Sequence, residues 1–179
     1  MRSAWGSLPT RASIICLAAL TVVLSATARA ADSKPCPTNS ESRQLDFWLG
    51  SWTISVPGYS GNSASKVSLG LDKCLFVESW DDGKGHSGQN MFGYSDDDKS
   101  WYGMFADNEG RVHVFTSGKV SGGAAEFEGR SGPTEEKALN RVKVVRLAAD
   151  KVEQTWEKSR DNGRSWKTVF RGEYSRTNP

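Results

Sequence analysis

The sequence is poor in the residues and motifs that build common catalytic centres. It has only two histidines and three cysteines. It contains no phosphate-binding loop, no Gly-x-Ser-x-Gly elbow, no HExxH helix and no paired cysteine and histidine spacing. We therefore expect no metal site and no resident cofactor. Haem is the one cofactor considered, and His113 would be its candidate ligand.

Long apolar runs are also scarce, and the clearest one lies near the start of the chain. Residues 13–24 read SIICLAALTVVL, and about 12 residues are too few to span a membrane. The run follows Arg2 and Arg11 and precedes Ala28-Arg29-Ala30, an arrangement typical of a secretory signal peptide. We expect cleavage near Ala30, a periplasmic or secreted protein, and no membrane insertion of the mature chain.

The mature chain lacks an excess of charge of either sign. Loss of residues 1–30 leaves 20 basic and 21 acidic side chains, a net charge of −1. Nucleic acids are bound by clustered basic residues, so we expect no nucleic-acid partner. About 150 residues form one domain, as a monomer or homodimer. The predicted organisation is a signal peptide (1–30), an extended arm (31–44) and one domain (45–179).

Two cysteines, Cys36 and Cys74, remain after cleavage. In an oxidising compartment a single disulfide between them is expected. A metal pair would lack further thiol ligands, and a redox pair more often has CxxC spacing.

Helical periodicity is nearly absent beyond residues 39–50, where one or two helical turns are expected, with Ser40 or Ser42 as cap and Gly50 as the stop. Short runs rich in aromatic and β-branched residues then alternate with Gly, Asp, Asn and Ser clusters, as in all-β barrels or sandwiches. This predicts about ten antiparallel strands, near 51–57, 65–72, 74–80, 87–94, 99–106, 111–117, 124–129, 140–148, 151–158 and 165–175.

The stretch SRDNGRSW, from Ser159 to Trp166, matches the Asp-box pattern SxDxGx[ST]W through Ser159, Asp161, Gly163, Ser165 and Trp166. One copy in so short a chain indicates a stabilised hairpin between the last two strands, with Asp161 and Trp166 in structural roles, and carries no implication of sugar cleavage.

Several motifs together resemble a bacterial family of exported, lipocalin-like (calycin) domains of unknown function. They are LDFWLGSWTI with its GxW at Gly50, LDKCLFVESW, GYSDDDKSWYGMFADNEGRV and EKSRDNGRSWKTVFRGEYSR. The resemblance implies a single up-and-down barrel whose closed end is plugged by Trp52, with a cation, Arg171 being the candidate, across its ring. Where relatives have a second tryptophan in the central hairpin, this sequence has Phe105.

Strand alternation places Glu78 among Phe76 and Trp80, with Cys74, on one face of CLFVESW. An inward Glu78 would be desolvated, with a raised pKa, and able to act as a base or a ligand anchor. An outward Glu78 paired with a cross-strand cation is the alternative. The inward companions proposed from alternation are Gln89, Trp101 or Tyr102, His113, Gln154 and Trp156.

Two functions follow from this set. The first is binding of a small apolar or aromatic molecule in the barrel cavity. The alternative is a small lyase or isomerase that uses Glu78 or His113 as general base in the same cavity. A Glu78 carboxylate within hydrogen-bond reach of His113 or Tyr102 would favour the enzyme, and the binding function is the preferred expectation.

Overall fold

Buried and exposed side chains alternate along most of the chain that the computed structural model describes, which is residues 40–61, 63–130 and 138–177. In Ser63–Gly70, for example, residues 63, 65 and 67 are buried, and residues 64, 66 and 68 are exposed. A pleated strand has this pattern because successive side chains point to opposite faces. The predicted all-β class is confirmed.

The strands form one antiparallel sheet that curls into a nearly closed barrel. Within the described residues there are eleven strands: β1 Gly50–Ser55, β2 Ser63–Gly70, β3 Leu75–Asp81, β4 Ser87–Ser95, β5 Ser100–Asp107, β6 Val112–Phe115, β7 Ser117–Ser121, β8 Ala124–Arg130, β9 Leu139–Ala148, β10 Lys151–Ser159 and β11 Lys167–Arg176. Their spatial order is β6-β5-β4-β3-β2-β1-β11-β10-β9-β8-β7. The predicted single up-and-down barrel is therefore confirmed.

The predicted strand 111–117 corresponds to β6, and the eleventh strand, β7, was not predicted. The chain leaves β6 after Phe115 and begins β7 at Ser117, and the two strands lie at opposite edges of the sheet. Between them the Thr116 amide donates to the carbonyl of Glu128, at 2.9 Å. The segment SGKVS is short, polar and glycine-containing, so its sequence lacks the usual strand composition.

Two glycines let the edges of the sheet approach closely. A Cβ atom on Gly129 of β8 would lie 1.9 Å from the carbonyl oxygen of Val114 in β6. A Cβ atom on Gly118 of β7 would lie 2.6 Å from the Cβ of Trp101 in β5. Only glycine tolerates this backbone approach, so the barrel closes by packing of β6 on β8 and of β7 on β5.

Two short 3-10 helices, Glu41–Arg43 and Asp46–Trp48, precede β1. They correspond to the one or two helical turns predicted within residues 39–50. Ser40 precedes the first helix, but its hydroxyl donates to the Glu41 carboxylate and makes no capping bond. Residues 41–43 belong to the predicted extended arm, but they are helical. They also pack on the barrel, because Ser42 is buried and the Arg43 guanidinium lies 5.3 Å from the centre of the Phe76 ring.

Trp48 and Trp52 fill one end of the barrel. Both are fully buried, and the Trp52 indole N–H donates to the Trp48 carbonyl at 2.9 Å. The Trp48 ring contacts Phe92 at a centroid distance of 5.9 Å and Tyr174 at 6.5 Å. The tryptophans of FWLGSW therefore close this end of the barrel.

The cation across Trp52 is Arg176, and the expectation of Arg171 is wrong. The Arg176 guanidinium carbon lies 4.2 Å from the centre of the Trp52 ring. Trp52 is paired with Arg176 in the β1–β11 register, so the correct cation lies five residues further along β11. Arg171 is exposed and forms an ion pair with Glu153 at 2.7 Å.

The Asp box forms the connection from β10 to β11. The Asp161 carboxylate accepts hydrogen bonds from the Ser165 amide at 2.8 Å and the Ser165 hydroxyl at 2.6 Å. The Trp166 indole donates to the Gly163 carbonyl at 3.1 Å. The bonds from Ser165 and Ser159 lower the pKa of Asp161 to about 2, as expected for a hairpin-stabilising carboxylate.

The predicted signal peptide and Cys36 lie outside the described residues. The cleavage near Ala30 and the disulfide from Cys36 to Cys74 therefore remain predictions. Across the described part of the chain, the helices are too short and insufficiently apolar for any of them to span a membrane.

Candidate ligand-binding cavity

The barrel contains a cavity of about 490 Å³ at the end opposite Trp48 and Trp52. Its wall is mainly aromatic and aliphatic, and its polar residues come from the barrel interior and from the loops at the mouth. A volume of this size and a mostly apolar lining are typical of small-molecule sites.

The aromatic wall is built by Trp80, Phe105, Trp156 and Phe170. The rings of Trp80 and Phe105 are nearly parallel, 10° apart, with centroids separated by 6.4 Å. Trp156 meets Phe105 edge to face at 4.8 Å, and its indole N–H donates to the Asn140 side chain at 2.9 Å. These contacts hold flat apolar surfaces around the cavity.

Gly88 makes room for the Trp80 ring. The two residues are paired across β3 and β4, and a Cβ atom on Gly88 would lie 2.9 Å from the Trp80 ring. The Trp80 ring therefore packs directly on the backbone of Gly88, where any larger residue would collide with it.

The inner end of the cavity is a polar floor formed by Asn90, Gln154 and Tyr174. Glu78 lies behind it and is 1% exposed. Its carboxylate accepts hydrogen bonds from the Ser65 hydroxyl at 2.8 Å and the Asn90 amide at 2.7 Å. The Tyr174 hydroxyl donates to the Gln154 side-chain oxygen at 2.7 Å. Of the two directions that the sequence left open for Glu78, the inward one is observed.

Burial raises the pKa of Glu78 above its ordinary value of 4.5, although hydrogen bonds from Ser65, Asn90, Tyr174 and Gln154 oppose the shift. Burial and the nearby Glu78 charge raise the pKa of Tyr174 well above 10.0. The low dielectric of the interior disfavours both charged forms, so the floor favours neutral groups.

His113 lies in the aromatic wall. It is 9% exposed, lines the cavity, and packs against Trp156 at 4.9 Å and Phe105 at 5.7 Å between ring centroids. His113 faces opposite to Val112 and Val114, which are both exposed, so alternation on this edge strand turns the histidine inward.

The structure brings only some of the predicted residues to the cavity. Trp80, His113, Gln154 and Trp156 line it. Phe76 and Trp101 point inward but lie in the closed core, where their rings contact each other at 5.9 Å.

Gln89 and Tyr102 lie on the outer face, and the expectation that they line the cavity is wrong. Gln89 is paired with Ser79 and donates to its hydroxyl at 3.2 Å. Tyr102 is 39% exposed and donates to Asp98 at 3.2 Å. In each case the adjacent residue, Asn90 or Trp101, takes the inward position.

The sequence interpretation did not identify Asn90, Phe105, Phe170 or Tyr174 as site residues, nor Ser65 as a partner of Glu78. A signal was present for Asn90, because it lies two residues from Phe92 on the same strand face. Its pairing with Glu78, however, depends on the β3–β4 register.

At the mouth, His86 connects two loops. Its Nδ1 lies 2.9 Å from Asp82 Oδ2 in the β3–β4 loop, and its Nε2 lies 3.1 Å from Glu109 Oε1 in the β5–β6 loop. The hydrogen bond to Asp82 and the charges of Asp82 and Glu109 raise the pKa of His86 above 6.5. The protonated imidazole thus joins both loops beside the cavity entrance.

No protein-family model matches the chain, and no curated protein matches it.

Proposed function

We propose that this protein is an exported binding protein that holds a small apolar or aromatic molecule in its barrel cavity. The observation that carries the proposal is the cavity of about 490 Å³ walled by Trp80, Phe105, Trp156 and Phe170. Burial of an aromatic molecule against such a wall removes apolar surface from water, at about 25 cal/mol per Å² before the costs of binding.

Export and membership of the lipocalin-like (calycin) family belong to the same proposal. The apolar run 13–24 and Ala28-Arg29-Ala30 support export. The GxW at Gly50 and the antiparallel barrel closed by Trp52 support the family resemblance.

The lyase or isomerase alternative has less support. Glu78 lies behind the floor and is engaged by Ser65 and Asn90. Tyr102 is on the outer face, and the ring of His113 packs in the aromatic wall. A general base has to reach the proton that it removes, and the described contacts of Glu78 do not pair it with His113 or Tyr102.

The test is a titration with N-phenyl-1-naphthylamine, a neutral apolar probe whose fluorescence rises on burial. We expect a saturable increase at one probe per chain. His113→Trp places a larger side chain against the cavity and should weaken binding at least tenfold. Val114→Trp is the matched control, because the neighbouring Val114 side chain is 47% exposed on the outer face, and it should bind like the parent.

Unsaturable binding, or equal effects of the two tryptophan substitutions, would refute the cavity as the binding site. Circular dichroism of both variants verifies that they fold. Native mass spectrometry of the protein purified from its own host would add the mass of any retained molecule.

A further inference from the structure

Asn90 carries an unmatched polar atom at the cavity floor. The side chain is 4% exposed, and its Nδ2 donates to Glu78 Oε2 at 2.7 Å. Its Oδ1 is buried and has no hydrogen-bond partner within the described residues. A buried carbonyl left in this condition costs about 1–3 kcal/mol. The floor is therefore built with one acceptor that the fold does not satisfy.

The orientation of the Asn90 amide follows from its neighbour. One oxygen of Glu78 accepts from Ser65, and the other accepts from Asn90. The amide nitrogen therefore faces Glu78, and the amide oxygen is directed away from it.

The neighbouring acceptor on the floor is already used. The Gln154 side-chain oxygen accepts from the Tyr174 hydroxyl at 2.7 Å. The side-chain oxygens of Asn90 and Gln154 thus differ. The oxygen of Gln154 has a donor and the oxygen of Asn90 has none within the described residues, although both residues line the same cavity.

We infer that the ligand is an aromatic molecule with a neutral hydrogen-bond donor, a phenolic hydroxyl or an aryl N–H, and that Asn90 Oδ1 accepts this hydrogen bond. The inference rests on the proposed function and specifies its ligand class. The ring contacts Trp80, Phe105 and Trp156, and the donor points to the floor. A ligand without a donor leaves Asn90 Oδ1 unmatched, and sites built around a buried polar group discriminate strongly against such analogues.

The experiment compares 1-naphthol with 1-methoxynaphthalene. They share the ring system, and in the second compound a methyl group replaces the hydroxyl hydrogen, so only 1-naphthol can donate a hydrogen bond. Isothermal titration calorimetry measures both affinities directly. We expect the parent protein to bind 1-naphthol at least tenfold more tightly. Asn90→Leu removes the acceptor and should abolish this preference. Gln89→Leu is the matched control, because Gln89 is the adjacent residue of β4 and lies on the outer face, and it should retain the preference.

Equal binding of the two compounds by the parent protein would overturn the inference and leave the proposed function standing. Binding of neither compound, together with no saturable binding of N-phenyl-1-naphthylamine, would refute the proposed function itself. A preference that persists in Asn90→Leu would also overturn the role of Asn90. If Asn90→Leu does not fold, the comparison in the parent protein alone decides the ligand class.

Discussion

Arg176 lies across the ring of Trp52, and its Nη1 also donates to the Leu49 carbonyl at 2.7 Å. The Arg176 side chain thus joins β11 to Trp52 in β1 and to Leu49, the residue before β1. The close approach requires Gly50, which has a φ of +129°, because a Cβ atom there would lie 2.3 Å from Arg176 Nη1. The closed end of the barrel is held by this arrangement.

We expect Arg176→Met to lower the free energy of unfolding by about 1–3 kcal/mol, since it removes a cation–π contact and a charged hydrogen bond. Urea denaturation measures the change. Arg171→Met is the matched control on the same strand, and loss of its exposed ion pair with Glu153 should cost about 0–1 kcal/mol. Equal losses in the two variants would contradict a special role for Arg176.

The buried Glu78 predicts a pH dependence of stability. Because its pKa is raised in the folded protein, the neutral carboxyl group is favoured there. The stabilising contribution is fully present below pH 4.5 and is lost as the pH rises through the raised pKa. Glu78→Gln, which cannot ionise, should therefore be more stable than the parent at pH 8 and similar to it at pH 4.

Glu157→Gln is the control with the opposite sign. Burial opposes the shift, but hydrogen bonds from Arg141 and Lys143 lower the pKa of Glu157 below 4.5. Its contribution is present above pH 4.5 and is lost as the pH falls through the lowered pKa. This variant should be less stable than the parent at pH 8. Urea unfolding at the two pH values tests both variants. If Glu78→Gln were less stable than the parent at pH 8, burial of the ionised Glu78 would not destabilise the fold as predicted.

His86 should titrate above pH 6.5, because Asp82 and Glu109 stabilise its protonated form. The link between the two mouth loops is then complete below pH 6.5 and weakens as the pH rises through the raised pKa. Nuclear magnetic resonance of the imidazole measures the midpoint. Asp82→Asn should move it downward. Asp81→Asn should leave it nearly unchanged, because Asp81 accepts from the Gly83 amide and makes no described contact with His86. A midpoint insensitive to Asp82→Asn would contradict the link.

Gly129→Ala should destabilise the barrel by about 1–3 kcal/mol, the range found for overpacked interiors. The added methyl group would collide with the Val114 carbonyl, 1.9 Å from its position, and force β6 away from β8. Thermal unfolding measures the effect. Gly93→Ala is the control, since its nearest new neighbour is a Leu75 methyl group at 3.6 Å. A melting temperature unchanged by Gly129→Ala would show that β6 does not pack as described.

Composition and turn residues were sufficient to predict antiparallel strands and the Asp-box hairpin, because both depend on local patterns. The choice of a barrel over a sandwich came from the family resemblance. Alternation placed Glu78 on one face with Phe76 and Trp80, but it left open whether that face points inward. The β6–β7 break at Thr116 was not predictable, since nothing local distinguishes a bend from a continuous strand there. Gln89 was assigned inward in place of Asn90 because an error of one residue reverses every side chain. Arg176 was missed because cross-strand register is not encoded in one strand alone.

The order of the strands has a consequence for how the chain finds its fold. Among the described residues, every ladder joins strands adjacent in the chain, except the ladder of β1 with β11. The adjacent hairpins need only short loops to close, whereas the β1–β11 seam brings Trp52 to Arg176 and closes a loop of more than a hundred residues. Loop-closure entropy makes such a contact the costliest to form. Arg176 and Trp52 therefore lie at the ladder that joins the first six strands and the last five strands into one sheet.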